Sequence, residues 1–279
     1  MTSSYGRGLP HLAVAVDQPR EGDAGAQVEL IRLAERGGLD FVTLGGGGDL
    51  VDALGVLAYA APFTSRIGLV PTVTGAQGVA AVGALDWISG GRAGVRADGP
   101  GDFGDLVRVA DAAARTGRAG RWADVVLVRA GSAEQAAGLG AEVRREALAA
   151  GRDPARVRVL AALLVDLGDG ERAAEPGHGG GGPRFTPRGP LYRGGPVDLA
   201  ELIRTWHAAG AVDGFHLTPV EPRRDLERLV NGTVGLLQHR GMFRTFYPGS
   251  TLREHLGVAR RSSGGRGRGT SGVEGARTV

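Results

Sequence analysis

Few residues in this chain are placed to do chemistry. It has no cysteine, which removes thiolate nucleophiles, cysteine-ligated zinc and iron–sulfur clusters. No two of its six histidines have the spacing of a metal pair such as HExxH. His11 opens a strand, and His216, mid-strand, reads as a satisfied core histidine. His178 lies among loop glycines, and His207, His239 and His255 read as surface residues on helices. The carboxylates form no convincing general-acid/base pair, and no Gly-rich dinucleotide fingerprint follows a strand. Beyond these, polar residues close several apolar runs, Asp17 just after the first and Asp98 and Arg129 at the ends of two others.

The apolar runs that position these residues have strand length. They are Leu12–Val16, Phe41–Leu44, Ile67–Val73, about Ala93–Asp98, Leu106–Ala110, Asp124–Arg129, Val157–Val165 and Gly214–Leu217. Helical patterns alternate with them: 25–36, a helix capped by Asp49 that ends before Pro62, and 77–88. Others follow Ser132 (a capping-box form with Gln135), span 197–209 and 223–240, and follow Thr251 (a second box with Glu254). A short Ala/Arg-rich helix is expected after the fifth strand, and 168–196 reads as a Gly/Pro-rich loop. Alternation of this kind implies a parallel sheet covered by helices. Eight strands point to an α/β chain folded as a (β/α)8 TIM-type barrel. One linker conflicts with that pattern. Only about seven residues, 99–105, separate the fourth and fifth strands, and a parallel crossover normally needs a dozen or more. The crossover after strand four is therefore expected to be missing.

Length and charge bound the rest. The 279 residues suit one large barrel or two ordinary domains; with the strand pattern, a barrel is expected over 1–258, followed by an Arg/Gly-rich tail, 259–279, expected to be disordered. There is no lysine, so all 33 basic residues are arginine, and net charge is only +3. Arginine clusters only in the tail, without aromatic residues, so no specific nucleic-acid partner is expected. No apolar run reaches membrane-spanning length and no secretory leader is apparent, so a cytoplasmic protein is expected.

The strand SRIGLVPTVT with LDWISGGRAGVR behind it resembles the bacterial luciferase-like, flavin-dependent monooxygenases, nearest the nitrilotriacetate monooxygenase branch. The likeness extends in blocks through HLAVAVD, GLDFVTL, RWADVVLVRAGSAEQA and AAGRDPARVRVL. Its most specific part is LYRGGPVDLAELIRTWHAAGAVDGFHLTP followed by LLQHRGMFRTFYPGSTLREHLGVA. The missing crossover falls where these enzymes carry a long helical insertion.

The resemblance implies reduced FMN, or the deazaflavin F420 in some relatives, lying across the C-terminal ends of the strands. A separate reductase would supply FMNH2, and dioxygen and a small organic substrate would complete the reaction. The rim would hold Asp17, Gly45, Thr72, Thr74, Arg96, Asp98, Asp111 and Arg129. Thr72 and Thr74 either bond the flavin edge or merely close a strand. Arg96 and Asp98 either face the cofactor or form a salt-bridged pair. The phosphate would meet backbone N–H groups of the turn that begins Asp111–Ala112, with Arg115 or Arg129 offsetting the charge of Asp111. Where the family carries polar and aromatic rim residues, this chain has Gly45–Gly48 and Gly75–Gly78, with Val95 in place of a tryptophan. Those losses define a second expectation, a degenerate barrel acting as a binding or scaffold protein. The family also implies a homodimer. The aromatic cluster Phe243, Phe246, Tyr247 is expected either to cap the barrel floor or to bury against a second subunit.

Overall fold

A computed structural model describes residues 8–17, 24–45, 50–73, 78–113, 118–168 and 182–258. Thr74, His178 and the tail expected from 259 lie outside these residues.

Eight strands close a parallel barrel: β1 (His11–Ala15), β2 (Phe41–Leu44), β3 (Gly68–Val73), β4 (Gly94–Ala97), β5 (Val107–Asp111), β6 (Val125–Val128), β7 (Arg158–Asp166) and β10 (Gly214–Pro219). Each pairs with the next, and β10 pairs with both β7 and β1, which seals the ring. The helices of the outer layer are α1 (Ala24–Arg36), α2 (Leu50–Ala60), α3 (Gly78–Ser89), α4 (Ala133–Ala149), α5 (Pro196–Ala208), α6 (Pro222–Arg228) and α7 (Gly235–His239). Their ends carry the signals read in the sequence. Gly90 and Gly91 adopt φ of 69° and 86° to stop α3, where a side chain would be strained. Ser132 accepts the Gln135 N–H at the start of α4. The expected helix 223–240 is one run interrupted by a π-turn, Leu229–Val234. There Gly232 lies so close to Pro196 that a Cβ would come within 2.6 Å of it.

The crossover after β4 has no helix. Residues 98–106 return the chain to β5, and β4 and β5 pair in parallel register, Gly94 with Val107. Nine extended residues reach about 30 Å, and β4 is only four residues long, so the return is feasible without a helix. Phe103 folds back to take part of the helix's place. It is buried and stacks on Trp122, with ring centroids 6.4 Å apart. The described part of the next crossover contains only a 3-10 turn, Ala119–Arg121, where a short helix was expected.

The loop expected over 168–196 needs correcting. Its described part contains a hairpin, β8 (Arg184–Thr186) with β9 (Gly189–Arg193), and β9 extends the sheet in parallel from the upper end of β7.

The floor of the barrel is a plug. The short helix α8 (Leu252–Leu256), fixed by the full Thr251/Glu254 capping box, sends Leu252 and Leu256 into an interior cluster with Phe41, Val70, Val107 and Val125. Gly68 and Gly94 make room for it. A Cβ on Gly68 would lie 2.6 Å from Leu252 Cδ1, and one on Gly94 would lie 3.0 Å from Cδ2.

The aromatic cluster packs within the chain. Phe243 is buried, and the Tyr247 hydroxyl donates to the Leu39 carbonyl at 2.8 Å. Arg244 lies over both rings and donates to buried Asp40 at 2.9 Å. Burial alone would raise the Asp40 carboxyl, but His11 and Arg244 outweigh it and hold it at about 2. His255 is buried beside Tyr247, correcting its reading as a surface residue. No described helix is long and apolar enough to cross a membrane.

Candidate functional site

Strand alternation builds the site. Side chains two apart along a strand share a face, so the interior residues Phe41, Val70, Val109 and Leu127 are followed on the same side by Thr43, Thr72, Asp111 and Arg129. The interior is apolar toward the α8 plug and turns polar toward the C-terminal ends of the strands, where ligands of this architecture bind.

Two pairs occupy that polar layer. Arg96 on β4 donates to Asp111 at the end of β5 at 2.7 Å, and each side chain is about one-fifth exposed. The ion pair therefore forms between neighbouring strands, where an Arg96–Asp98 pair had been one of the two expectations. Asp98 is exposed just beyond β4. Below the pair, His216 Nε2 meets Thr43 Oγ1 at 2.9 Å in a fully buried position. Burial, and secondarily the charge of Arg96, push the imidazole down to about 3 against the pull of Asp111. His216 is thus a neutral, satisfied core histidine, as its mid-strand position suggested. The Thr43–His216 pair was missed because nothing in one strand's residues names its partner on another.

Thr72 sits one strand from Arg96, in register with it. Its hydroxyl is buried and has no hydrogen-bond partner among the described residues. A buried polar atom without a partner carries a cost that a bound ligand would remove. Asp17 accepts the Gly45 N–H at 2.7 Å, which ties the ends of β1 and β2 together.

Asp111, Ala112 and Arg129 also line a cavity of about 350 Å³ between the ends of β5 and β6 and helix α4, together with Arg118, Glu142 and Glu146. That volume lies within the range of small-molecule sites. Two corrections arise here. The Ala112 N–H is already committed to the Leu127 carbonyl at 2.9 Å, so it is not a phosphate donor. Asp111 turns to Arg96, which compensates its charge where Arg115 or Arg129 had been expected to. Arg118 was not foreseen. It is the only described non-glycine residue with positive φ, at 58°, a strained conformation of the kind that gathers at functional sites. The residues present fit a flavin in part: Thr72 offers a vacant hydroxyl, and Arg118 and Arg129 offer charge beside the turn after β5.

No family model matches the chain. Over 67 residues it is 45% identical to nitrilotriacetate monooxygenase component A of Aminobacter aminovorans. That stretch is 24% of this chain and only 15% of the relative's length. Among solved structures, the EDTA monooxygenase from Chelativorans sp. BNC1 superposes with a TM-score of 0.74 at 17% identity, covering 91% of this chain and 99% of that one. The fold is that of the luciferase-like monooxygenases. The coenzyme F420-dependent tetrahydromethanopterin reductase of Methanopyrus kandleri superposes with a TM-score of 0.63 at 16% identity, covering 82% and 99%. The luciferase-like barrel therefore extends to proteins named for different cofactor chemistry. In this chain the helix-free return between β4 and β5 is a departure from the (β/α)8 pattern.

Proposed function

We propose that this chain is the oxygenase component of a flavin-dependent monooxygenase, taking reduced FMN from a separate reductase and acting with dioxygen on a small organic substrate. The observation that carries the reading is the buried, partnerless hydroxyl of Thr72 at the C-terminal end of a luciferase-like barrel. When bound, the flavin supplies the reducing equivalents and the site of oxygen chemistry. The chain's own residues bind and orient it. Thr72 donates to or accepts from the ring edge, and Thr74 is proposed beside it. Arg96, held by Asp111, presents a fixed guanidinium to the mouth, and Asp98 stands just beyond it. Arg129 and Arg118 are proposed to face the phosphate. His216 takes no part in proton transfer, because its environment keeps it neutral and bonded to Thr43.

F420 is the alternative cofactor, motivated by the likeness to the F420-dependent reductase. Titration of the protein with FMN, FMNH2 and F420 by fluorescence separates the two, with FMNH2 expected to bind most tightly. Absence of binding by any of the three to high micromolar concentration rejects both and leaves the degenerate, non-catalytic barrel. Product-coupled turnover of FMNH2, beyond its autoxidation in free solution, rejects that scaffold reading.

A further inference from the structure

The two charges of the Arg96–Asp111 pair do not cancel on the side that faces the barrel interior. The pair closes at 2.7 Å between β4 and β5. After burial itself, the charge of Arg96 is the stronger influence holding the His216 imidazole down, and the opposing pull of Asp111 is the weaker. The guanidinium therefore dominates the field in the polar layer. Its neighbours there add no charge. Thr72 lies in register with Arg96 on the adjoining strand, about 5 Å away across the sheet. Thr43 and neutral His216 bond to each other. The other carboxylates of the mouth are turned elsewhere: Asp17 accepts the Gly45 N–H, and Asp98 is exposed beyond β4. Among the described residues Arg96 has no hydrogen-bond partner besides Asp111, so most of its fork of N–H donors is uncommitted.

The two ends of a flavin ring differ in what they can meet. One is a dimethylbenzene with no hydrogen-bonding atom. The other is a pyrimidinedione whose N1 and C2 oxygen accept hydrogen bonds. A donor-only guanidinium beside a vacant hydroxyl matches the second end. Reduction widens the difference. The two-electron-reduced ring gives up its N1 proton to water near neutral pH, which leaves a negative charge over N1 and the C2 oxygen. We propose that Arg96 binds this N1–C2 edge and selects the anionic reduced flavin, FMNH−, over oxidised FMN. The inference rests on the flavin reading above. A hydrogen bond to an ionised acceptor is roughly twice as strong as one between neutral groups. The apolar cluster beneath lowers the local dielectric and strengthens it further. Oxidised FMN offers the same acceptors without the charge. Asp111 holds the guanidinium in place and moderates its charge, so it acts as a positioning residue through Arg96. Such selection suits a protein that receives its flavin already reduced, since the spent oxidised form is held less tightly and leaves.

Anaerobic titration of the full chain with FMN and with dithionite-reduced FMN tests the selection. Quenching of tryptophan fluorescence gives both affinities, and the absorbance spectrum gives the ionisation state of the bound reduced ring. The wild-type chain is expected to bind reduced FMN at least ten-fold more tightly than FMN, as the anion. Each factor of ten raises the two-electron potential of the bound flavin by ~30 mV. Arg96→Gln should abolish the preference. Asp111→Asn should increase it several-fold, because it keeps an oxygen for the guanidinium and removes the opposing charge. A purely structural tie cannot give opposite shifts, since losing either partner would weaken both flavin forms alike. An unchanged preference in Arg96→Gln overturns the inference, as does a lowered one in Asp111→Asn or a neutral reduced ring in the wild type. Should Arg96→Gln fail to fold, Asp111→Asn decides alone. Equal wild-type affinity for the two flavin forms overturns this inference and leaves the flavin reading standing, whereas absence of all flavin binding overturns both.

Discussion

Arg96 and Asp111 face each other across the β4–β5 pair at 2.7 Å, joining the two strands that have no helix between them. The pair substitutes a polar tie at the mouth for covering that a crossover helix would give. Arg96→Ala should strand a partly buried carboxylate and destabilise the chain by about 1–2 kcal/mol, less than for a fully buried pair because water screens the site. Arg96→Ala/Asp111→Ala should recover part of that loss. Urea melts of these two variants and of Asp111→Ala measure it, and a double variant as unstable as the sum of its singles would mean the two side chains are not coupled.

Thr72→Val should stabilise the cofactor-free protein, by up to ~1 kcal/mol, because it removes a buried hydroxyl that bonds to nothing. The same change should weaken FMNH2 binding several-fold. Thermal melts without flavin and a fluorescence titration with it read the two effects separately. A stabilised variant with unchanged flavin affinity would remove Thr72 from the site.

Stability should fall as the solution is acidified below about pH 6.5. His216 is held near 3 in the folded chain, against 6.5 for an ordinary histidine. Above 6.5 neither state takes up the proton and the full stability is present. Between 6.5 and 3 the unfolded chain is protonated and the folded one is not, so stability is lost at a slope approaching ~1.4 kcal/mol per pH unit. His255, also lowered by burial, contributes in the same direction. Asp40, held at about 2 against 3.8, adds its own loss only below the ordinary carboxylate range. His216→Gln keeps a partner for Thr43 and should flatten the wild-type decline between pH 7 and pH 5. Equal declines in variant and wild type would contradict this account.

Gly68→Ala should cost about 1–3 kcal/mol, since the new methyl would press on Leu252 and on Phe41 Cβ at 2.8 Å. Leu252→Ala should cost about 2–5 kcal/mol by emptying the barrel floor. Together they should cost less than their sum, because the smaller residue 252 relieves one of the two clashes. Denaturant melts of the three variants provide the comparison.

The barrel was legible because its strands are short apolar runs between well-marked helix ends. Ser132, Thr251 and the Gly90–Gly91 stop each do locally what their residue types dictate. The missing crossover was legible for the same reason, since a linker's length is a sequence property. The hairpin β8–β9 was lost inside a Gly/Pro-rich stretch. Its signal was present in RFTPRGPLYR, two short runs on either side of Pro187–Arg188–Gly189. The site was legible only as a rim. Which rim residues pair depends on strand register, so Arg96 took Asp111 and not Asp98, and the Ala112 N–H went to Leu127. No single strand contains that information.

The short return between β4 and β5 also bears on how the ring assembles in time. Gly94 meets Val107 only about a dozen positions along the chain, whereas His11 meets Gly214 some two hundred positions on. Bringing the first pair together loses little chain entropy, and the second pair loses the most. The β4–β5 ladder is thus the cheapest parallel pairing in the barrel and the natural place for folding to begin, with the β1–β10 seam closing last.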